Sequence, residues 1–182
     1  MIPQGNSPSM QHRKKPAHKS GFKHANRKSN QKATGAIRVI SGQWRGRKLP
    51  VLNAEGLRQT TDRTKETLFN CLMNDIQGMR CLDAFAGSGS LGFESLSRGA
   101  GKVMFVEKDK QAASQLESNL QLLKVGAAQA EVINQDALVF LSQKPAYPFD
   151  LIFIDPPFNK DLADKALKNI QQQQWLKPEG LL

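Results

Sequence analysis

From Arg80 onward the chain alternates short apolar runs with helix-length segments, and that rhythm leaves little choice of architecture. Strands read at 80–84, 102–107, 131–135 and 150–155, with helices at roughly 90–98, 109–124, 136–142 and 161–174. Connections of that length are crossovers between parallel strands. The expected core is therefore α/β, a parallel sheet wound through right-handed βαβ units. Upstream, Thr60-Thr61-Asp62-Arg63 opens a helix that runs to about Asn74. Thr61 or Asp62 can cap its free amides, and Leu68, Phe69, Leu72 and Met73 fall on one apolar face.

The first third has a different character. Residues 1–54 carry 12 of the 26 Lys/Arg and none of the 16 Asp/Glu, so this part is +12 and the remainder −2. A solvated surface normally mixes signs, and such asymmetry calls for a polyanion, most simply a phosphate backbone. Residues 1–36, rich in Gln, Asn, Ser and Lys and holding all three histidines, read as a disordered basic tail. It could neutralise phosphates without regard to sequence, serve as a solubilising tail, or act as an organelle transit segment. Residues 37–60 read as an N-terminal β-hairpin extension with strands at 37–40 and 47–51. In or beside its glycine-punctuated turn, Arg45, Arg47 and Lys48 flank Trp44. That grouping suits stacking on a base while holding phosphates, or a Trp that packs the hairpin onto the main domain. No run approaches the roughly 18 apolar residues of a membrane helix. Cys71 and Cys81 lack metal-ligand spacing and sit in apolar patterns, as small buried hydrophobes in a reducing compartment; no metal site is expected.

Strand 80–84 runs into Phe85-Ala86-Gly87-Ser88-Gly89-Ser90-Leu91-Gly92. Gly87, Gly89 and Gly92 allow a tight turn and close approach of a ligand to a helix start. The spacing also fits a nicotinamide dinucleotide. Asp83 separates the two readings. Its carboxylate, just before the turn, would repel a pyrophosphate but suits the sulfonium and amino group of S-adenosylmethionine. Glu107, ending the next strand, can accept from a ribose diol, which both cofactors possess. Asp136 is a third carboxylate at the same sheet edge. It could take an adenine amine, with Ala137 supplying an amide, or simply cap the following helix.

The last strand delivers Asp155-Pro156-Pro157-Phe158. Consecutive prolines end the ladder and fix a rigid turn. That turn holds the Asp155 carboxylate and a backbone carbonyl at Pro156 so that both can accept from one NH₂ group. An exocyclic base amine is a poor nucleophile because its lone pair is delocalised into the ring. Two accepted hydrogen bonds favour a more tetrahedral nitrogen, and Asp155 can take its proton. Phe158 would stack on the target base.

With these residues in hand the sequence resembles the bacterial small-subunit (16S) ribosomal RNA guanine-N2 methyltransferases of the RsmD family, over residues 37–182. The likeness runs through Arg38-Val39-Ile40-Ser41-Gly42 with Trp44-Arg45-Gly46-Arg47, then Thr61-Asp62-Arg63 and Lys65-Glu66-Thr67-Leu68-Phe69-Asn70. It continues through Asp83-Ala84-Phe85-Ala86-Gly87-Ser88-Gly89 to Asp155-Pro156-Pro157-Phe158. The resemblance implies a Rossmann-like class I S-adenosylmethionine-dependent methyltransferase, with a mostly parallel twisted sheet over 61–182. It implies that Asp83, Phe85, Gly87, Gly89, Glu107, Lys108, Asp136 and Ala137 line the cofactor and that the Thr61–Arg63 helix start closes the pocket. Asp155, Pro156 and Phe158 would hold the guanine. Arg38, Trp44, Arg45, Arg47 and Lys48 would contact RNA, as naked ribosomal RNA or an assembling small subunit. A cytoplasmic monomer is expected. Gln59 departs from the family's usual proline. Relatives also continue into further strands beyond Leu181-Leu182, where a fifth strand should just begin, so a carboxyl-terminal truncation is expected. Two alternatives stay open: an adenine-N6 methyltransferase on RNA or DNA, and a non-catalytic RNA-binding protein of ribosome assembly.

Overall fold

The structure is a computed structural model that describes residues 1, 35–52, 61–157 and 160–182. The described residues from 35 to 182 cluster as one compact unit. The basic tail expected over 1–36 lies outside the described residues, except for Met1 and for Gly35 and Ala36, which are already paired in a strand.

A two-stranded antiparallel hairpin, β1 (Gly35–Arg38) and β2 (Lys48–Val51), comes first. After α1 (Asp62–Cys71) the expected alternation follows: β3 (Arg80–Asp83), α2 (Ser90–Ser97), β4 (Lys102–Val106), α3 (Lys110–Leu122), β5 (Ala130–Ile133), α4 (Ala137–Leu141), β6 (Phe149–Phe153), α5 (Lys160–Gln173) and β7 (Leu176–Leu181). The five-stranded sheet has the order β5-β4-β3-β6-β7, and its paired strands are all parallel. The chain leaves β3 towards β4 on one side and later returns to pair β6 on the other, which makes the β3–β6 boundary a topological switch point. Open α/β sheets bind ligands outside the carboxyl ends of strands at such a point.

Both faces of the sheet are covered, which explains why the central strands read as continuous apolar runs rather than alternating ones. Cys81, Phe105 and Leu151 point into a core shared with the hairpin and α1–α3, where the Phe93 and Phe105 rings lie 5.0 Å apart. Leu82, Val106 and Ile152 point the other way, into a core with α4, α5 and Trp175. The indole N–H of Trp175 donates to the Leu141 carbonyl at 2.9 Å, tying the second layer together.

Three sequence expectations are corrected. Met73 is 65% exposed and Cys71 is also exposed, while Phe69 and Leu72 are buried. α1 stops at Cys71, so Met73 lies past the helix and off its apolar face. The buried position one helical turn before Phe69 is instead Lys65. Of the two cysteines, only Cys81 is a buried hydrophobe, and burial pushes its thiol up to about 12. The fifth strand begins at Leu176 rather than near Leu181. Pro178 and Gly180 hid it, but on this edge the three residues 149–151 of β6 stand against the six residues 176–181 of β7, and the irregular register absorbs the missing proline donor.

Candidate active site

Each strand at the switch point ends by handing a carboxylate to the same cavity. The cavity measures about 330 Å³ and is lined by the turn after β3, the ends of β4 and β6, and the starts of α4 and α5. Among the described residues its charged lining comprises Asp83, Glu107, Asp136, Asp155 and one cation, Lys108. Four carboxylates to one ammonium suit a ligand bearing positive charge and several N–H or O–H donors, and oppose a pyrophosphate.

Asp83 closes β3 and is 3% exposed. Its Oδ2 accepts the Gly92 N–H at 3.1 Å. α2 starts from Gly89, which has φ +75° and no capping side chain, so Asp83 takes a free amide of the first turn from outside the helix. Burial raises the Asp83 pKa to about 7; the Gly92 amide works against this, and the charges of Asp155 and Glu107 add to it. A carboxyl with such a pKa is roughly half ionised at neutral pH. Sequence alone suggests a full anion here, and burial makes it one that a cation has to draw out.

The glycine turn and Glu107 are one structure. Glu107 Oε2 accepts the Gly87 N–H at 2.8 Å and Oε1 accepts the Asp109 N–H at 2.7 Å, which fixes the carboxylate and leaves lone pairs on both oxygens. The Ala86 N–H donates to the Val106 carbonyl and the Ala84 N–H to the Phe153 carbonyl, so the turn is anchored to both neighbouring strands. Asp136 is the N-cap of α4, and Oδ1 accepts both cap bonds, from Leu138 at 2.9 Å and Val139 at 3.2 Å. The capping alternative therefore holds, and Oδ2 is not consumed by it.

Phe85, Gly87, Lys108, Ala137, Asp155 and Pro156 all line the cavity. Asp155 is exposed at its rim. Gly89 does not line it; a Cβ there would stand 2.5 Å from Leu116 and 2.7 Å from Phe93, so its absence permits packing. Thr61, Asp62 and Arg63 are exposed and are not part of the cavity wall. Thr61 caps α1 by accepting the Thr64 N–H at 3.2 Å. Phe158 lies outside the described residues. Beyond the glycine and proline turns, sequence reasoning misses Val106, Leu138 and Leu162 of the wall. Helical periodicity marks leucines as apolar but carries no signal that a pocket opens beside them.

On the hairpin, Arg38, Arg45, Arg47 and Lys48 are exposed, while Trp44 is half-buried against the core. The packing role of Trp44 is thus observed. No helix of the described residues is long and apolar enough to cross a membrane.

Among known proteins, residues 37–182 match the family described as conserved hypothetical protein 95. The chain is similar to ribosomal RNA small subunit methyltransferase D of Haemophilus influenzae, with 59% identity over 151 residues covering 82% of this chain and 78% of that protein. Its likeness to the Escherichia coli K12 protein of the same name is 47% over 156 residues, 86% and 77% of the two chains. Among solved structures, an Escherichia coli chain named as methyltransferase yhhF is 45% identical with a TM-score of 0.75, covering 81% and 79%. The architecture is that of class I S-adenosylmethionine-dependent methyltransferases.

Proposed function

The chain belongs to the RsmD family of small-subunit ribosomal RNA methyltransferases, and from that premise we propose that it methylates the N2 amine of one guanine in that RNA, with S-adenosylmethionine as donor. The observation that carries this reading is the placement of the Asp155-Pro156 turn on the rim of the same carboxylate-lined cavity as Asp83 and Glu107.

S-adenosylmethionine supplies an activated methyl group on a cationic sulfur. The donor set fits it. Asp83 would hold the amino end, Glu107 the ribose hydroxyls, and Asp136 with the Ala137 amide the adenine edge, while Phe85 and Leu138 offer apolar contact. Ligand charge would draw Asp83 to its ionised form. At the rim, the Asp155 carboxylate and the Pro156 carbonyl accept from the guanine amine, raise its nucleophilicity and orient its lone pair; Asp155 then takes the proton. Phe158, two residues beyond Pro156 in the chain, would stack on the base. The Thr61–Arg63 helix start would close the cofactor pocket. Arg38, Arg45, Arg47 and Lys48 hold phosphates, and the tail adds sequence-independent attraction. The enzyme works as a monomer in the cytoplasm, where small subunits assemble.

The test is transfer of tritiated methyl from S-adenosylmethionine to small ribosomal subunits lacking their methylations, followed by nucleoside analysis. Label in N2-methylguanosine is expected. Label in methyladenosine would move the assignment to the adenine-N6 alternative, and no label would leave a binding protein.

A further inference from the structure

Helix α2 is attached at both ends. Its first turn faces the cavity, where Ser90 and Leu91 line the wall and the Gly92 N–H is held by Asp83. Its middle and last turns hold the hairpin. Glu94, only 1% exposed, aims both carboxylate oxygens at the hairpin backbone: Oε2 accepts the Ile40 N–H at 2.8 Å and Oε1 the Ser41 N–H at 3.0 Å. Oε1 also accepts from Arg98 Nε at 2.7 Å, and that guanidinium lies 5.0 Å from the centre of the Phe69 ring. One turn on, Ser97 Oγ accepts the Trp44 N–H at 3.1 Å and donates to the Ser41 carbonyl, while the Ser97 carbonyl accepts the Gln43 N–H at 2.8 Å. From α1, the equally buried Lys65 donates to the Arg38 carbonyl at 2.6 Å.

Burying a carboxylate is costly unless donors surround it, and apolar side chains would have sufficed to glue the hairpin down. What apolar contact does not provide is direction. Two oxygens on consecutive amides fix both the position and the tilt of a backbone, and here that backbone leads into the exposed Arg45, Arg47 and Lys48. α2 spans about 12 Å at the usual rise, so one short rigid helix references the cationic turn to the cavity.

We propose that Glu94 is a positioning residue for RNA: acting through α2, it holds the cationic turn at a set distance from the cavity, so that the phosphates bound there decide which base reaches Asp155. The inference rests on the RNA methyltransferase reading above.

The test uses the full chain with Glu94→Gln, which keeps the side chain's size but turns an NH₂ group towards a backbone donor. Arg45, Arg47 and Lys48 are replaced together by alanine in both backgrounds. Amide exchange at Ile40 and Ser41 is expected to quicken at least about tenfold in Glu94→Gln. The KM for RNA should rise about tenfold while cofactor affinity, read by calorimetry, stays within about twofold. The triple alanine change should lower the log–log salt slope of RNA binding by about two to three in the parent, and by less than one in Glu94→Gln. Equal slope losses in both backgrounds would overturn the proposal, as would cofactor affinity falling in step with RNA affinity, since that marks general loosening. Ser97→Ala, which removes two of the hairpin bonds without stranding a charge, should shift the same readouts in the same direction and serves if Glu94→Gln does not fold. A parent chain that neither binds nor methylates RNA would sink the functional reading itself, whereas the exchange result reports on the clamp alone.

Discussion

The cavity and the hairpin carry opposite charge and are built by opposite means. The cavity is acidic, and its parts are strand ends: Asp83 is the last residue of its strand, and Glu107, Asp136 and Asp155 each stand within three residues of a strand's end. The hairpin is basic, and its place depends on bonds across more than fifty residues of sequence, from Glu94 and Ser97 to Ile40, Ser41 and Trp44. A site made of strand ends is assembled by the sheet itself, because parallel pairing brings those ends together. An appendage has no such guarantee and needs its own buried polar anchors.

The comparison is sharpened most by separating chemistry from binding at the cavity rim. Asp155→Ala is expected to lower turnover at least about 100-fold with cofactor affinity nearly intact, measured by single-turnover transfer beside calorimetry. Unchanged turnover would remove Asp155 from the chemistry.

At the hairpin, two glycines with nearly the same backbone angle should behave differently. Gly42 (φ +80°) has its missing Cβ 1.8 Å from the Ser97 carbonyl oxygen, whereas Gly46 (φ +82°) faces nothing within 4 Å. Gly42→Ala should destabilise by about 3 kcal/mol in denaturant titration and Gly46→Ala by about 1 kcal/mol, the backbone cost alone. Equal costs would mean that the contact with α2 is loose.

The acidic side should respond to pH. Asp83 has a folded pKa of about 7, above the ordinary carboxylate value, so the fold favours its protonated form. Its contribution to stability is present in full below about pH 4 and is lost as pH rises through about 7. A cationic ligand favours the ionised form, so cofactor affinity should increase about tenfold from pH 6 to pH 8. Asp83→Asn should flatten both dependences, in thermal melts and calorimetry respectively.

The smallest effect is expected from the tail. Residues 1–34 hold eight Lys/Arg and no acid. Their deletion should lower the salt slope of RNA binding without changing which base is methylated. An unchanged slope would mean that the tail is inert in RNA binding.

Much of this architecture is legible in the amino-acid sequence. The strand and helix segments after Arg80 fall within a few residues of their expected places, since apolar runs and helical periodicity are local signals. The same holds for the glycine turn, whose positive φ at Gly87 and Gly89 only glycine adopts cheaply. Where sequence fails, a long-range contact outweighs a local sign. No local pattern marks Lys65 or Glu94 as buried, yet both are, because hairpin backbone groups arrive to pair with them. The strand at Leu176 is masked by Pro178 and Gly180, which an edge position tolerates.

By itself the sequence determined the alternation that makes the sheet parallel, the carboxylates that end its strands, and the family to which the chain belongs. Only the tertiary structure decided that Asp83 sits so deep that its charge is suppressed, that Glu107 is held by the glycine turn, and that α2 joins the cavity to the hairpin. The physical reason is that periodicity and turn chemistry act between near neighbours along the chain, whereas desolvation and the pairing of buried charge depend on what packs around a group from elsewhere in the chain.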